Sequence, residues 1–330
     1  MSDQLFRLIK TILDPARPAY SLRGEVLELK DILLKLASME FNLTSDISVG
    51  EIRTESGLAV SPAMAVMCVD DVARTVGFIR GTHAAIAEVR GKFPNEPVRV
   101  LYAGCGPLVT LAIPQLAAFS LADISFTLID INPDSIMSAK SIIDSLGYSD
   151  GVEAYFVGDI MSYQVDSGRE PHIVLIEVMN AALKGEPQVA VARHLMSQVP
   201  NSMLLPQTVS LILELIDQSK EFSFDGQSLT RDRVPLGTVF TLDKSSIGSW
   251  CSIVDEFLPA ATIQLPAVIE DRYTPHLRTS ICIYGDHVLG DYDSGLTYPK
   301  PLSELGSFKA GDTIDFAYRL GRDPSITVIR

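Results

Sequence analysis

Cysteine is scarce in this chain. Its four cysteines (Cys68, Cys105, Cys251 and Cys282) lie far apart and form no Cys-x-x-Cys pair. That spacing excludes a disulfide scaffold and a zinc ribbon, and it points to reduced thiols in a cytoplasmic protein. Positive charge is also in short supply: 27 Lys and Arg stand against 41 Asp and Glu, a net charge of −14. Such a surface repels phosphates, so a nucleic-acid ligand is not expected. It serves solubility, and it draws cationic solutes in by weak long-range steering. No apolar run is long enough to span a bilayer. The opening Met-Ser-Asp-Gln-Leu-Phe-Arg lacks the basic segment and apolar stretch of a secretory signal. His83, His172, His194 and His287 show no partner spacing, so no metal site is expected. Internal repeats and low-complexity segments are missing too.

What remains is a chain of 330 residues with 47% hydrophobic and 21% charged content, ordinary for a globular protein. Its pattern changes twice. Residues 1–92 have helical spacing: Leu5, Leu8, Ile9 and Ile12 share one face, and Val26, Leu29, Ile32, Leu33 and Leu36 share another after Pro15 and Pro18. Ser61-Pro62 reads as a cap and first turn of a helix running towards Phe78, with a further helix over Thr82–Arg90. Over 93–203, short apolar strands (Arg99–Tyr102, Ser125–Ile129, Ala154–Val157 and Ile173–Ile176) alternate with helical segments near 108–119, 133–146 and 187–199. Alternation of that kind predicts a parallel sheet covered on both faces. From 204 to 330 the runs are strand-like: Thr208–Ile216, Thr238–Leu242, Ala261–Leu265, Thr279–Tyr284 and Thr313–Tyr318. Turn signals such as Phe-Asp-Gly226, Tyr-Gly-Asp286 and Ala-Gly-Asp312 separate several of them, and one helix is expected at 245–257. The expected fold is therefore α/β: N-terminal helices, a Rossmann-like core, and a C-terminal antiparallel β domain of sandwich or barrel type.

The core carries the chemistry. Val-Arg-Val-Leu-Tyr-Ala-Gly104-Cys105-Gly106-Pro-Leu-Val reads as a buried strand, a glycine turn and a helix start with Pro107 in its first turn. The next strand ends in Asp130-Ile131, where an acid is placed to accept from ribose hydroxyls. A dinucleotide fingerprint needs a third glycine, and Val109 stands in its place. The third strand ends in Asp159-Ile160, suited either to an adenine amino group or to capping a turn. The fourth is followed by Glu177 and, nine residues on, Glu186. Two carboxylates at the carboxyl end of a parallel strand are able to grip a planar guanidinium through parallel hydrogen bonds.

The glycine run resembles motif I of the S-adenosylmethionine-dependent methyltransferases, with Asp130 and Asp159 in the places of that class's ribose- and adenine-binding acids. The chain as a whole resembles the protein arginine methyltransferase family over roughly residues 60–285. Glu177-Val-Met-Asn looks like the family's Glu-Trp-Met-Gly, and its glutamate pair has the same nine-residue spacing. Gly106-Pro-Leu-Val looks like motif I of the symmetric-dimethylating branch. Val191-Ala-Arg-His-Leu and Met203-Leu-Leu-Pro206 resemble the following helix and strand entry. Val69-Asp-Asp71-Val-Ala-Arg74 resembles the helix before the core, and Tyr273-Thr-Pro-His276 the Thr-His-Trp loop. The resemblance implies S-adenosyl-L-methionine as methyl donor and S-adenosyl-L-homocysteine as product. It implies cofactor contacts from Arg74, Gly104, Cys105, Gly106, Asp130, Ile131, Asp159, Ile160 and Glu177. Arg74 would pair with the methionine carboxylate, and His276 would support the catalytic Glu177 and Glu186. Val178, Asn180 and Leu277 depart from the family pattern, so a small-molecule or a peptide methyl acceptor both stay open, as does a pocket in which the glutamates only shape an unrelated substrate's site. An inactive cofactor-binding regulator is a further alternative. The sequence is compatible with a homodimer.

Overall fold

The computed structural model describes residues 2–43, 46–225, 228–303 and 309–329; Gly226 of one turn signal falls outside them. Two N-terminal helices, α1 (Ser2–Leu13) and α2 (Arg23–Leu36), precede a small antiparallel hairpin, β1 (Ile52–Thr54) and β2 (Gly57–Ala59). Helix α3 (Pro62–Cys68) begins where Ser61 accepts a hydrogen bond from the Met64 amide at 3.0 Å. It stops after about two turns. Asp71 then caps a new helix, α4 (Val72–Lys92), by accepting from the Arg74 amide at 3.2 Å. The break expected near Phe78 is absent. Gly81 is a packing notch in an unbroken helix, because a Cβ there would lie 2.5 Å from Ile283 Cγ2.

The core sheet is wholly parallel: β3 (Val98–Ala103), β4 (Ile124–Asp130), β5 (Val152–Val157), β6 (Ile173–Ile176) and β7 (Met203–Leu205), in the order β5-β4-β3-β6-β7. Each residue of β6 is fully buried, which is why that strand reads as an unbroken apolar run. The order reverses direction between β3 and β6, so a crevice opens where their carboxyl ends part. Helices α6 (Pro133–Leu146) and α7 (Gln188–Gln198) pack on β4, β5 and β6, while α4 packs on β3 and β6. The helix expected at 108–119 is shorter: α5 covers only Ile113–Ala118. Gly106 and Val109 take positive φ values of 64° and 43°, and so the chain turns rather than coils before Ile113.

The C-terminal part consists of antiparallel strands. One sheet joins β8 (Thr208–Asp217), β11 (Arg233–Asp243), β13 (Tyr273–Tyr284), β14 (His287–Leu289) and β15 (Lys300–Pro301). The other joins β12 (Phe257–Gln264), β16 (Thr313–Arg319) and β17 (Ser325–Ile329). A short ribbon, β9 (Ser223–Asp225) with β10 (Ser228–Thr230), lies between β8 and β11 in sequence. Phe240 of β11 stacks on Tyr318 of β16 at 4.8 Å and on Trp250 at 5.3 Å, which ties the sheets together. The helix expected at 245–257 is α8, Lys244–Ser249; Phe257 already belongs to a strand. Helix α4 touches β13 and β14 as well as the core sheet, so it spans both halves.

Candidate active site

A cavity of about 390 Å³ lies at the carboxyl ends of β3, β4, β5 and β6. Its floor is the glycine turn. Gly104 (φ +75°) leaves the strand in a conformation that disfavours side chains, and a Cβ there would meet Val178 Cγ1 at 2.2 Å. A Cβ on Gly106 would meet nothing nearer than Ala65 Cβ at 3.8 Å. It would occupy cavity space, so Gly106 leaves a cradle open to a ligand. The amides of Gly104 and Cys105 donate to the Ile129 carbonyl at 2.9 and 3.0 Å, and the Gly106 amide donates to Asp130 Oδ2 at 2.9 Å. The glycine turn is thus pinned to β4. The helix start read at Pro107 is not there, because α5 begins seven residues beyond Gly106.

Asp130 is half-buried, and its Oδ1 accepts from the Asn132 amide at 2.9 Å. Burial raises its pKa, although the two amides favour its charge. The Ser135 hydroxyl also donates to it, and since a carboxylate offers about four acceptor positions, room for a further hydroxyl donor remains. Asp159 lines the same cavity beside Ile160, but its Oδ1 already accepts from the Met161 amide at 2.9 Å. It caps a turn, the plainer of the two readings its sequence context allowed.

Glu177 and Glu186 enter from the loop after β6. That loop is held from several directions. Gln188, only 1% exposed, accepts from the Val178 amide at 3.1 Å and donates to the Ile176 carbonyl at 3.2 Å, so its one amide group straddles Glu177. Thr279 accepts from the Ala182 amide at 2.9 Å, the Tyr318 hydroxyl donates to the Leu183 carbonyl at 2.7 Å, and the Gly185 amide donates to Pro324 at 2.8 Å. Ala182 and Leu183 both take positive φ (57° and 52°), at roughly 1–3 kcal/mol each for residues other than glycine. The bonds from the β domain are what keep that conformation in place.

The electrostatics are unbalanced. Arg74 reaches from the first turn of α4 and donates through Nη2 to Glu177 Oε1 in a short ion pair, with the two side chains 14% and 15% exposed. Burial opposes the Arg74 charge, yet Glu177, Cys68 and Glu186 outweigh it and raise its pKa. Burial likewise raises the Glu177 pKa, against the pull of Arg74. Glu186 has no such partner. Burial, and then the neighbouring Glu177, push it up to about 7. One cation therefore serves two carboxylates, and the pair holds a place for a second cation.

Every residue expected to touch cofactor lines this one cavity: Arg74, Gly104, Cys105, Gly106, Asp130, Ile131, Asp159, Ile160 and Glu177, with Glu186 beside them. Arg74 is engaged by Glu177 rather than standing free for a ligand carboxylate. His276 does not line it. Only 3% exposed in β13, it accepts from Gln218 Nε2 at 3.0 Å and donates through Nδ1 to the Thr274 carbonyl at 2.9 Å. The β13 residue that reaches the glutamate loop is Thr279. Sequence reasoning also missed the β1–β2 hairpin, which brings Glu51, Thr54 and Leu58 to the cavity. The Glu-Ser-Gly57 turn between Ile52 and Leu58 was its signal. Among the described residues no group of three His, Cys, Asp or Glu is placed to hold a metal ion, and no helix is long and apolar enough to cross a membrane.

The arrangement defines a Rossmann-like core with an antiparallel β domain and one cavity at the sheet's switch point. Among solved structures the chain is similar to the Trypanosoma brucei PRMT1 enzyme–prozyme heterotetrameric complex with AdoHcy. The TM-score is 0.51 at 13% identity, over 80% of this chain and 91% of that one. At that identity the likeness is one of fold. No protein-family model matches the chain, and no curated protein does.

Proposed function

We propose that the protein is an S-adenosyl-L-methionine-dependent N-methyltransferase acting on a guanidino or amine group. The observation that carries this reading is the pair of half-buried carboxylates on the cavity that the glycine turn opens, Glu177 ion-paired to Arg74 and Glu186 without an ion pair of its own among the described residues. The likeness in fold to a protein solved with AdoHcy supports it. The residues also fit that donor chemically. Gly106 leaves a cradle, Asp130 keeps acceptor capacity for a ribose, and Ile131 and Ile160 offer apolar surface to an adenine ring. Arg74 has five N–H donors, and those left over by Glu177 suit the methionine carboxylate.

Bound S-adenosyl-L-methionine supplies a methyl group on an electrophilic sulfonium. The protein's task is then to position and activate the acceptor. Guanidinium is a poor nucleophile because its charge is delocalised and its pKa is very high. Glu177 and Glu186 hold positive charge on two of its nitrogens and free the third to attack. A carbon–nitrogen bond forms, the carbon–sulfur bond breaks, and S-adenosyl-L-homocysteine leaves. The methylated guanidinium sheds one proton, and the Glu186 carboxylate, with a pKa of about 7, is suited to receive it. Gln188 and Thr279 keep the loop in place. His276 has no part in this scheme.

The test is calorimetric titration with S-adenosyl-L-methionine and S-adenosyl-L-homocysteine, then a methyl-release assay with free arginine and an arginine-rich peptide. Tight binding of both nucleosides and turnover of either acceptor supports the proposal. Binding of neither nucleoside sinks it.

A further inference from the structure

Two charged side chains at the cavity are left over by the scheme above. Glu51, at the foot of the β1–β2 hairpin, and Lys184, on the glutamate loop, both line the cavity and are both exposed. Neither takes part in an ion pair or side-chain hydrogen bond among the described residues. Lys184 lies two residues from Glu186, so their Cα atoms are within about 7 Å of each other. Glu51 is close enough for its charge to add to the raising of the Glu186 pKa. The cavity thus has an inner acidic end, at the half-buried Glu177 and Glu186, and an outer end with one free negative and one free positive group.

The hairpin narrows the approach beside Glu186. The Leu58 amide donates to the Gly185 carbonyl at 2.8 Å, and a Cβ on Gly57 would lie 2.9 Å from the Pro187 nitrogen. Backbone lies on backbone there, over the loop that carries the catalytic pair. A peptide strand needs room on both sides of the residue it presents. A free amino acid needs room for one ammonium and one carboxylate.

We infer that the acceptor is a free guanidino amino acid of the arginine type, its head held by Glu177 and Glu186, its α-ammonium by Glu51 and its α-carboxylate by Lys184. The inference rests on the proposed methyl transfer and narrows its substrate. It explains why the two free charges are of opposite sign. A zwitterion needs both, whereas an arginine within a peptide has neither terminal charge to offer.

The wild-type protein, Glu51→Gln and Lys184→Met are titrated, in the presence of S-adenosyl-L-homocysteine, with four probes. These are L-arginine, agmatine (no carboxylate), Nα-acetyl-L-arginine (no ammonium) and the end-blocked tripeptide acetyl-Gly-Arg-Gly-amide (neither charge). Methyl transfer from S-adenosyl-L-methionine is followed in parallel. L-Arginine is expected to bind about tenfold more tightly than the tripeptide, the value of one charge-assisted hydrogen bond. Lys184→Met should lower the arginine-to-agmatine affinity ratio about tenfold, and Glu51→Gln should lower the arginine-to-acetylarginine ratio by a similar factor. A tripeptide bound and methylated as well as arginine, or ratios that neither variant moves, overturns the inference and leaves the proposed function standing. If no guanidino probe binds wild-type protein that binds S-adenosyl-L-homocysteine, the guanidino acceptor itself is overturned, and the inference with it.

Discussion

Among the described residues two clusters of charge sit largely out of water, and they are built to opposite rules. In the β domain Arg231, Arg233 and Arg278 meet Glu214, Glu221 and Asp291, three cations for three anions. Burial would raise the Glu221 pKa, but Arg233, Tyr292 and Arg231 more than reverse it, and the carboxyl ends below its ordinary value. At the cavity Arg74 faces Glu177 and Glu186, and both carboxyls are pushed upward. A balanced cluster neutralises its own charge, although Arg231 Nε is left without a hydrogen bond, and fixes the packing of β8, β11 and β13. An unbalanced one keeps an anion in waiting, at a cost in stability that a cationic ligand is able to offset. Burial alone does not mark a functional site; burial with a leftover charge does.

The sharpest way to break the comparison is Glu177→Gln. Methyl transfer should fall by about 10²–10³, the usual cost of one preorganised electrostatic partner, while S-adenosyl-L-homocysteine still binds on titration. Unchanged turnover would remove Glu177 from the mechanism. The matching change in the balanced cluster is Arg233→Met. It leaves Glu214 with Arg278 alone and Glu221 with Arg231 alone, tipping the cluster to excess negative charge, and chemical denaturation should show a loss of about 3 kcal/mol. Turnover per folded molecule should stay as in wild type; a stable variant with lost turnover would mean that the two clusters are not separate.

The next effect is on pH. Glu186 keeps its proton up to about pH 7 in the folded chain, against an ordinary value of 4.5. Between those limits the folded state holds a proton that the unfolded chain has lost. The group's contribution to stability is therefore complete below pH 4.5 and fades as pH rises to about 7. That contribution is about 3 kcal/mol at most, and less once solvent screening at this half-buried group is allowed for. Guanidinium binding runs the other way, because it needs the charged form. Affinity for L-arginine should fall about tenfold for each pH unit below 7 and level off above it. In Glu186→Gln the slope should vanish, and a slope that persists would assign it elsewhere. The smallest expected effect is Gln188→Ala. It unties two hydrogen bonds flanking Glu177 and should lower kcat about tenfold with little change in S-adenosyl-L-homocysteine affinity, as single-turnover kinetics would show.

Much of this was legible in the order of residues. Ile173–Ile176 and 133–146 fall where their apolar runs and caps put them, because Asn132 and Gly147 bracket α6 by local hydrogen bonding and a left-handed φ of 74°. The cavity residues on the core strands were legible for the same reason: strand ends and glycine turns are local signals. Contacts made at a distance were not. Gly81 looks like a helix breaker until Ile283 is seen packed on it. His276 looks like a partner of the glutamates until β13 carries it to Gln218. The partner of Arg74 lies 103 residues away, and no spacing rule reaches that far. Gly57 is an ordinary turn residue in sequence, and only the fold brings it over Pro187.

The bond from the Tyr318 hydroxyl to the Leu183 carbonyl joins residues 135 apart in the chain. With the neighbouring bond from Gly185 to Pro324, it makes the glutamate loop depend on strands synthesised well after it. Up to β7 the chain supplies the Gln188, Leu58 and Arg74 contacts to that loop, but not those of Thr279, Tyr318 and Pro324 that hold its Ala182–Leu183 turn. The left-handed turn between the two glutamates is therefore set only when the last strands have joined the fold.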